Sequence, residues 1–152
     1  MIGIAEASFH AATLVATGFS VVTTLTRTCV IAEHLVLQYG FERRGRGIHG
    51  TDLWVLELDD PANHAFDRIL AYAQDALARD RSGAIVLGCA GMADLYHPLQ
   101  QRLGVPVIDG VGAAVTLAEG LVALGLSTSK QGDYAVPISK NYLGLAAPFS
   151  PR

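Results

Sequence analysis

Cys89 closes a short apolar run, Ala84-Ile85-Val86-Leu87-Gly88-Cys89-Ala90-Gly91-Met92, and a thiol so placed can move a proton or attack a carbon. The four apolar residues before it, β-branched in the middle, read as a buried strand. Gly88, Ala90 and Gly91 remove side-chain bulk around the sulfur, so a small molecule can come close to the backbone. Asp94 to Leu103 read as helical. A thiol between a strand's carboxyl end and a helix N-terminus sits among unpaired N–H groups, which favour its thiolate. A free cysteine is also among the most buried residue types and often only fills core space. The small-residue frame separates Cys89 from the chain's other cysteine, Cys29, which falls in a helical stretch, Thr26-Arg27-Thr28-Cys29-Val30-Ile31, and reads as packing.

The elements that must hold Cys89 alternate between helix and strand. Ala5 to Thr17 carries apolar residues at helical spacing and stops at Gly18. Phe19 to Leu25 reads as a strand whose Val21 and Val22 lead into Thr23 and Thr24. A helix follows over Thr26 to Tyr39 and ends at Gly40. Phe41 to His49 reads as an edge strand at best, given its arginines, and Leu53 to Leu58 is apolar and ambiguous. Asp60-Pro61 opens a helix through Arg79, with inward Phe66, Ile69, Leu70, Ala73 and Leu77. Gly104 separates the helix after Cys89 from a strand over Val105 to Ile108, and Asp109-Gly110 turns into a last helix ending near Leu124. Strands alternating with helices imply a parallel sheet covered on both faces, with ligands beyond the carboxyl ends of its strands. If the strands ending at Thr23-Thr24 and Cys89 are neighbours where the strand order reverses, hydroxyls and a thiol share one pocket. Adjacent residues in a strand point to opposite faces, so both threonines need not reach it.

The chain's 152 residues suit one α/β domain, and 51% of them are hydrophobic against 16% charged. A net charge of −3 gives no basic field for nucleic acid, and Arg43, Arg44 and Arg46 read as a solvated strand or loop. Two cysteines make no disulfide framework, and a reactive thiol must stay reduced; both facts point to the cytoplasm. No apolar stretch is long enough to span a bilayer uninterrupted, and residues 1 to 16 give no signal peptide.

Taken together, the motifs resemble those of the hydantoin and allantoin racemases of the aspartate/glutamate racemase superfamily. The words that carry the resemblance are Gly3-Ile4-Ala5-Glu6-Ala7, Ser20-Val21-Val22-Thr23-Thr24-Leu25, Ala84 to Leu95 and Val105-Pro106-Val107-Ile108-Asp109-Gly110-Val111. Leu126-Ser127-Thr128-Ser129-Lys130 and Tyr134-Ala135-Val136-Pro137 extend it into the tail. The resemblance implies a racemase that uses no cofactor, metal or nucleotide and acts on a small hydantoin-type or allantoin-type amino-acid derivative, as a homo-oligomer. It further implies two similar α/β lobes, each giving one cysteine to the cleft between them. Inverting a carbon needs an acid and a base on opposite sides, and cysteines at helix ends suit that task. By position, Cys89 corresponds to the second-lobe catalytic cysteine, and Thr23 and Thr24 to substrate-binding threonines. Gly88, Ala90 and Gly91 correspond to the backbone around the thiol. Glu6 and Asp109 lie near helix starts, where the helix dipole accounts for them without a catalytic role.

The resemblance covers the second lobe and tail alone, with residues 1–126 as the lobe and 127–152 as a tail that in the family packs on the first lobe. Met1-Ile2-Gly3-Ile4 matches the crossing between lobes, and Cys29 aligns where the family places no catalytic thiol. The expectation is therefore a truncated racemase lacking the first catalytic cysteine. Two alternatives stay open: a short non-catalytic binding module, and a single-cysteine lyase like the arylmalonate decarboxylases. Without a first lobe, apolar surface near Tyr142, Leu143 and Phe149 is expected to be exposed and to favour association.

Overall fold

A computed structural model describes residues 1–58 and 61–150. Met1–Gly120 forms one compact unit and Leu121–Arg152 a second. In the first, α1 (Ile4–Val15) leads into β1 (Phe19–Thr23), α2 (Cys29–Gln38) and β2 (Gly45–Gly50). Then come α3 (Ala65–Asp80), β3 (Ala84–Leu87), α4 (Tyr96–Leu103), β4 (Val107–Asp109) and α5 (Gly110–Ala123). The second unit contains two 3-10 turns, Gly132–Tyr134 and Gly144–Phe149, and its Tyr142, Leu143 and Phe149 are exposed.

The four strands form one sheet in the order β2-β1-β3-β4, and each neighbouring pair is parallel. Both faces are apolar because the pleat alternates two sets of side chains. Phe19, Val21 and Val86 pack with Phe9 and Ala12 of α1 and Val36 of α2. Val22, Ile85 and Leu87 face the other way, onto Ile69, Leu70 and Ala73 of α3 and Leu99 of α4. The α/β class and the four-stranded parallel sheet flanked by helices thus stand as the residue pattern indicated. From β1 the chain steps outward to β2, then crosses to β3 on β1's other side. The order reverses between β1 and β3, where a crevice opens at the carboxyl ends.

Several boundaries shift for local reasons. Thr24 and Leu25 leave β1: the Thr24 carbonyl accepts from Leu53 N (3.2 Å), and the Leu25 carbonyl accepts from Thr28 N (2.9 Å) in a 3-10 turn, Thr26–Thr28, that precedes α2. The helix ends as expected where Gly40 adopts φ +78°. The edge strand begins only at Gly45, because Phe41 is taken into the core and its carbonyl accepts from Arg44 N and Gly45 N. Leu53 to Leu58 is neither strand nor α-helix; it contains a 3-10 turn, Val55–Glu57. The expected helix start at Asp60 lies outside the described residues; Pro61–Asn63 forms a 3-10 turn and α3 begins at Ala65. After Cys89 comes a 3-10 turn, Ala90–Leu95, with α4 beginning at Tyr96 so that Pro98 falls in its first turn, where proline is tolerated.

A polar cluster fastens the edge strand to the opposite connection. The Ser20 hydroxyl, fully buried on β1, donates to Asp80 Oδ2 at 2.6 Å, and the Ser82 hydroxyl lies 2.6 Å from Ser20 Oγ. His49 Nε2 on β2 donates to the same carboxylate oxygen, also at 2.6 Å. Gly47 makes room: a Cβ there would sit 2.0 Å from Asp80 Oδ2. Arg44 Nη1 donates to the Thr17 carbonyl (3.0 Å) and Arg46 Nη1 to the Arg81 carbonyl, so two exposed arginines tie loops at this end. Losing a hydrogen-bonded carboxylate from a mostly buried cluster strands its donors. Asp80→Ala is expected to lower unfolding free energy in urea by about 3 kcal/mol, and Asp80→Asn by less. A loss below about 1 kcal/mol for the alanine variant would show that the cluster does not hold the edge strand.

Candidate active site

At the β1–β3 crevice, one strand end is shaped by the other. Gly88 N donates to the Val22 carbonyl at 2.8 Å, carrying the ladder one residue past β3. A Cβ on Gly88 would lie 2.7 Å from Thr23 Cβ and 3.0 Å from Thr23 Oγ1, so only glycine lets the chains run this close. The Thr23 hydroxyl donates to the Gly88 carbonyl at 3.3 Å. Cys89 is extended, with φ −140° and ψ 133°, and its carbonyl accepts from Met92 N at 3.0 Å to open the Ala90–Leu95 turn. The first N–H groups of such a turn have no partner within it, and here they belong to the residues that follow the thiol.

A cavity of about 240 Å3 lies against this junction. Thr23, Gly88, Cys89 and Ala90 line it together, with Asp109 and Gly110 at the end of β4. Its remaining wall comes from the first turns of α1 and from α2. Gly110 permits the approach of α1, since a Cβ there would be 2.8 Å from the Ile4 carbonyl oxygen. The Asp109 carboxylate accepts from Val111 N (3.1 Å) and Gly112 N (2.7 Å) and so caps α5. That is the helix-end role its position indicated.

Two of the expected site residues lie outside this cavity's lining. Thr24 is buried just past the end of β1. Its carbonyl accepts the Thr51 hydroxyl at 3.2 Å as well as Leu53 N, so Thr24 anchors the segment after β2. Gly91 lies beside the sulfur: a Cβ there would be 3.7 Å from Cys89 Sγ, 3.2 Å from Val55 Cγ1 and 3.3 Å from Leu58 Cδ1. Half-buried Cys89 packs against the α3–α4 cluster on that side while also lining the cavity.

Val55 and Leu58 therefore lie close against Gly91, two residues after the thiol, a placement not evident from the ambiguous Leu53–Leu58 run. The available signal was an apolar segment with no room in the sheet; Trp54 is 61% and Leu56 91% exposed. Asp52, at φ +52°, swings this segment back over the crevice and holds it with its carboxylate on Thr26 N (2.9 Å) and Thr26 Oγ1 (3.0 Å).

Cys29 opens α2 and is not among the cavity's lining residues; its thiol contacts the Leu25 carbonyl at 3.9 Å. Burial pushes that thiol up, and the carboxylates of Glu33 and Asp52 add to the effect. Among the described residues, no group of three or more His, Cys, Asp or Glu side chains is placed to hold a metal ion, and no helix is long and apolar enough to cross a membrane.

The model of the Asp/Glu/Hydantoin racemase family matches residues 1–118. The chain is 46% identical over 144 residues to a hydantoin racemase of Rhizobium meliloti, covering 95% of this chain and 60% of that one. Among solved structures, an allantoin racemase from Klebsiella pneumoniae superposes with a TM-score of 0.88 at 53% identity, covering 99% of this chain and 62% of that one. An allantoin racemase from Pseudomonas fluorescens follows at 0.83 and 43%, covering 93% and 60%. The chain thus spans about 60% of the length of these relatives. On the family match and these identities, the chain belongs to the Asp/Glu/Hydantoin racemase family.

Proposed function

We propose that this chain supplies one side of a cofactor-independent racemisation of a hydantoin-type or allantoin-type ring, with Cys89 as the proton-transferring group. The observation that carries the reading is the meeting of Cys89 with Thr23 and Gly88 on one cavity at the strand-order reversal. The Cys89 thiolate removes the proton from the ring's stereocentre, and the electron pair passes into the adjacent carbonyl as an enolate. N–H groups at the start of the Ala90–Leu95 turn stabilise the enolate oxygen. Thr23 and the backbone of Gly88 and Ala90, which line the cavity, receive the ring's polar groups; Thr24 and Gly91 support them from outside it.

A proton returned to the same face restores the starting isomer; one returned to the opposite face inverts it. Inversion needs a second acid on that opposite side. Among the described residues, Cys89 is the one thiol lining this cavity. Full racemisation therefore calls on a group from polypeptide equivalent to the part of the relatives that this chain does not span. A reduced cytoplasmic setting and a homo-oligomer accord with the reading. The single thiol also favours a second reading, a lyase that protonates the carbanion left by decarboxylation of a malonate-type acid.

Deuterium incorporation tests the first reading. In heavy water, the purified chain is expected to label the stereocentre of an optically pure 5-alkylhydantoin faster than buffer does. Cys89→Ala is expected to reduce that rate by about 100-fold or more. With one thiol acting from one face, label is expected to accumulate faster than optical activity is lost. Unchanged labelling in the variant would remove the thiol from the mechanism, and carbon dioxide release from a disubstituted malonate would favour the lyase.

Alkylation tests the surroundings of Cys29. Burial and the Glu33 and Asp52 carboxylates push the Cys29 thiol up, which lowers its thiolate fraction, and only a thiolate is a good nucleophile. Mass spectrometry after iodoacetamide treatment at neutral pH is expected to find Cys29 alkylated slowly. Modification of Cys29 is expected to accelerate only above the ordinary thiol range. Rapid labelling of Cys29 at neutral pH would contradict this assignment.

A further inference from the structure

The carboxyl end of β1 is gripped by residues 51–53, which follow the edge strand β2. Thr51 is fully buried at the centre of this grip. Its N–H donates to the Thr23 carbonyl at 3.0 Å, and its hydroxyl is shared between the Thr23 and Thr24 carbonyls, each at 3.2 Å. Leu53 N donates to the Thr24 carbonyl at 3.2 Å, so one short segment holds two successive carbonyls.

The segment is itself braced twice. Arg68 Nη2 of α3 donates to the Thr51 carbonyl at 3.0 Å. The Asp52 carboxylate takes Thr26 N and Thr26 Oγ1, and a Cβ on Gly50 would lie 2.3 Å from Thr26 N, so the end of β2 is pressed against the turn that leaves β1.

Thr23 needs such a hold. Its own hydroxyl bond to the Gly88 carbonyl is 3.3 Å long, beyond the usual range of about 2.5–3.0 Å for a hydroxyl donor, and so fixes it weakly. The backbone must do the rest. With one hydroxyl bridging the carbonyls of Thr23 and Thr24, the peptide planes on either side of Thr24 keep a fixed relation, and Thr23 keeps its place beside Gly88.

Resting on the racemase reading above, we infer that Thr51 is a positioning residue for proton transfer at Cys89. It stands outside the cavity's lining and acts through Thr23, which stands within it. A bound ring then meets Thr23 already in place, so that none of the binding energy goes into ordering it.

Thr51→Val tests the assignment, because it keeps the branched shape and the N–H bond and removes only the hydroxyl. Each carbonyl retains an N–H donor, so the variant is expected to fold. Deuterium labelling of optically pure 5-methylhydantoin is expected to be about five- to tenfold slower in Thr51→Val, and within about twofold of the parent in Thr51→Ser. On a Thr23→Val background, Thr51→Val is expected to slow labelling by less than about twofold, because the side chain it positions is gone. Native-state hydrogen exchange reads the same hold without a substrate. Thr51→Val is expected to speed exchange at Gly88 N–H, bonded to the Val22 carbonyl, by at least about tenfold. Ile85 N–H, bonded to the Pro106 carbonyl on the other side of β3, is expected to be unmoved.

Equal slowing with and without the Thr23 hydroxyl, or equal acceleration at both amides, would mark a general structural contribution and overturn the inference. Labelling present in the parent and unmoved by Thr51→Val would also overturn it, and leave the racemase reading standing. Labelling absent from the parent, with Gly88 N–H alone responding, would overturn the racemase reading and with it the role in proton transfer, and uphold only the hold of Thr51 on Thr23.

Discussion

The site depends on how closely two parallel strands approach at their carboxyl ends. Gly88 lies where any side chain would collide with Thr23, and its N–H remains on the Val22 carbonyl. This extra ladder bond fixes the position of Cys89 relative to β1 before any ligand arrives. Because the strand order reverses there, the connections leaving β1 and β3 diverge, and the space between them becomes the cavity. An alanine at position 88 would push the two connections apart, and Thr23, Cys89 and Ala90 would lose their common wall.

At the other end of the sheet, stability rests on a different chemistry. The Asp80 carboxylate accepts from Ser20 and His49, linking β1 and β2 to the end of α3. This joins the edge strand, which has a neighbour on only one side, to the helix that crosses over β1. Keeping the buried charge there leaves the cavity side free for small residues and uncommitted backbone. The two ends meet different demands: one needs every polar group paired, while the other needs N–H groups available to a substrate.

The residues that were legible in the sequence are those whose roles are local. Gly40 and Gly104 stop helices by adopting φ of +78° and +70°, a preference carried by glycine itself. The run from Ala84 to Leu87 could only be a buried strand, and the residues after Leu87 had to be loop. Asp80 was opaque because its partners are 31 and 60 positions away, and an acidic residue near a helix end ordinarily faces water. Leu53 to Leu58 was opaque for a similar reason. Its apolar pattern suits several structures, and the choice is made by Asp52, which turns the chain and binds Thr26 across the crevice. Thr24 shows the limit of reading a motif as a unit. It falls just past the end of β1 and outside the cavity's lining, and its carbonyl serves the segment after β2.

That segment and the α2 wall give Cys89 unlike surroundings. Val55 and Leu58 lie close against Gly91, two residues after Cys89, while the extended backbone at Cys89 brings the residue to the cavity edge. On the proposed reading, Cys89 meets a bound ring from its own side of the cavity. Proton removal and return by the same sulfur, on that reading, occur on one face and leave configuration unchanged. Stereochemical inversion is therefore not a property of the thiol but of what stands across the cavity from it. On the proposed reading, the position of Cys89 sets where a proton is exchanged, and the group across the cavity sets whether that exchange inverts the centre.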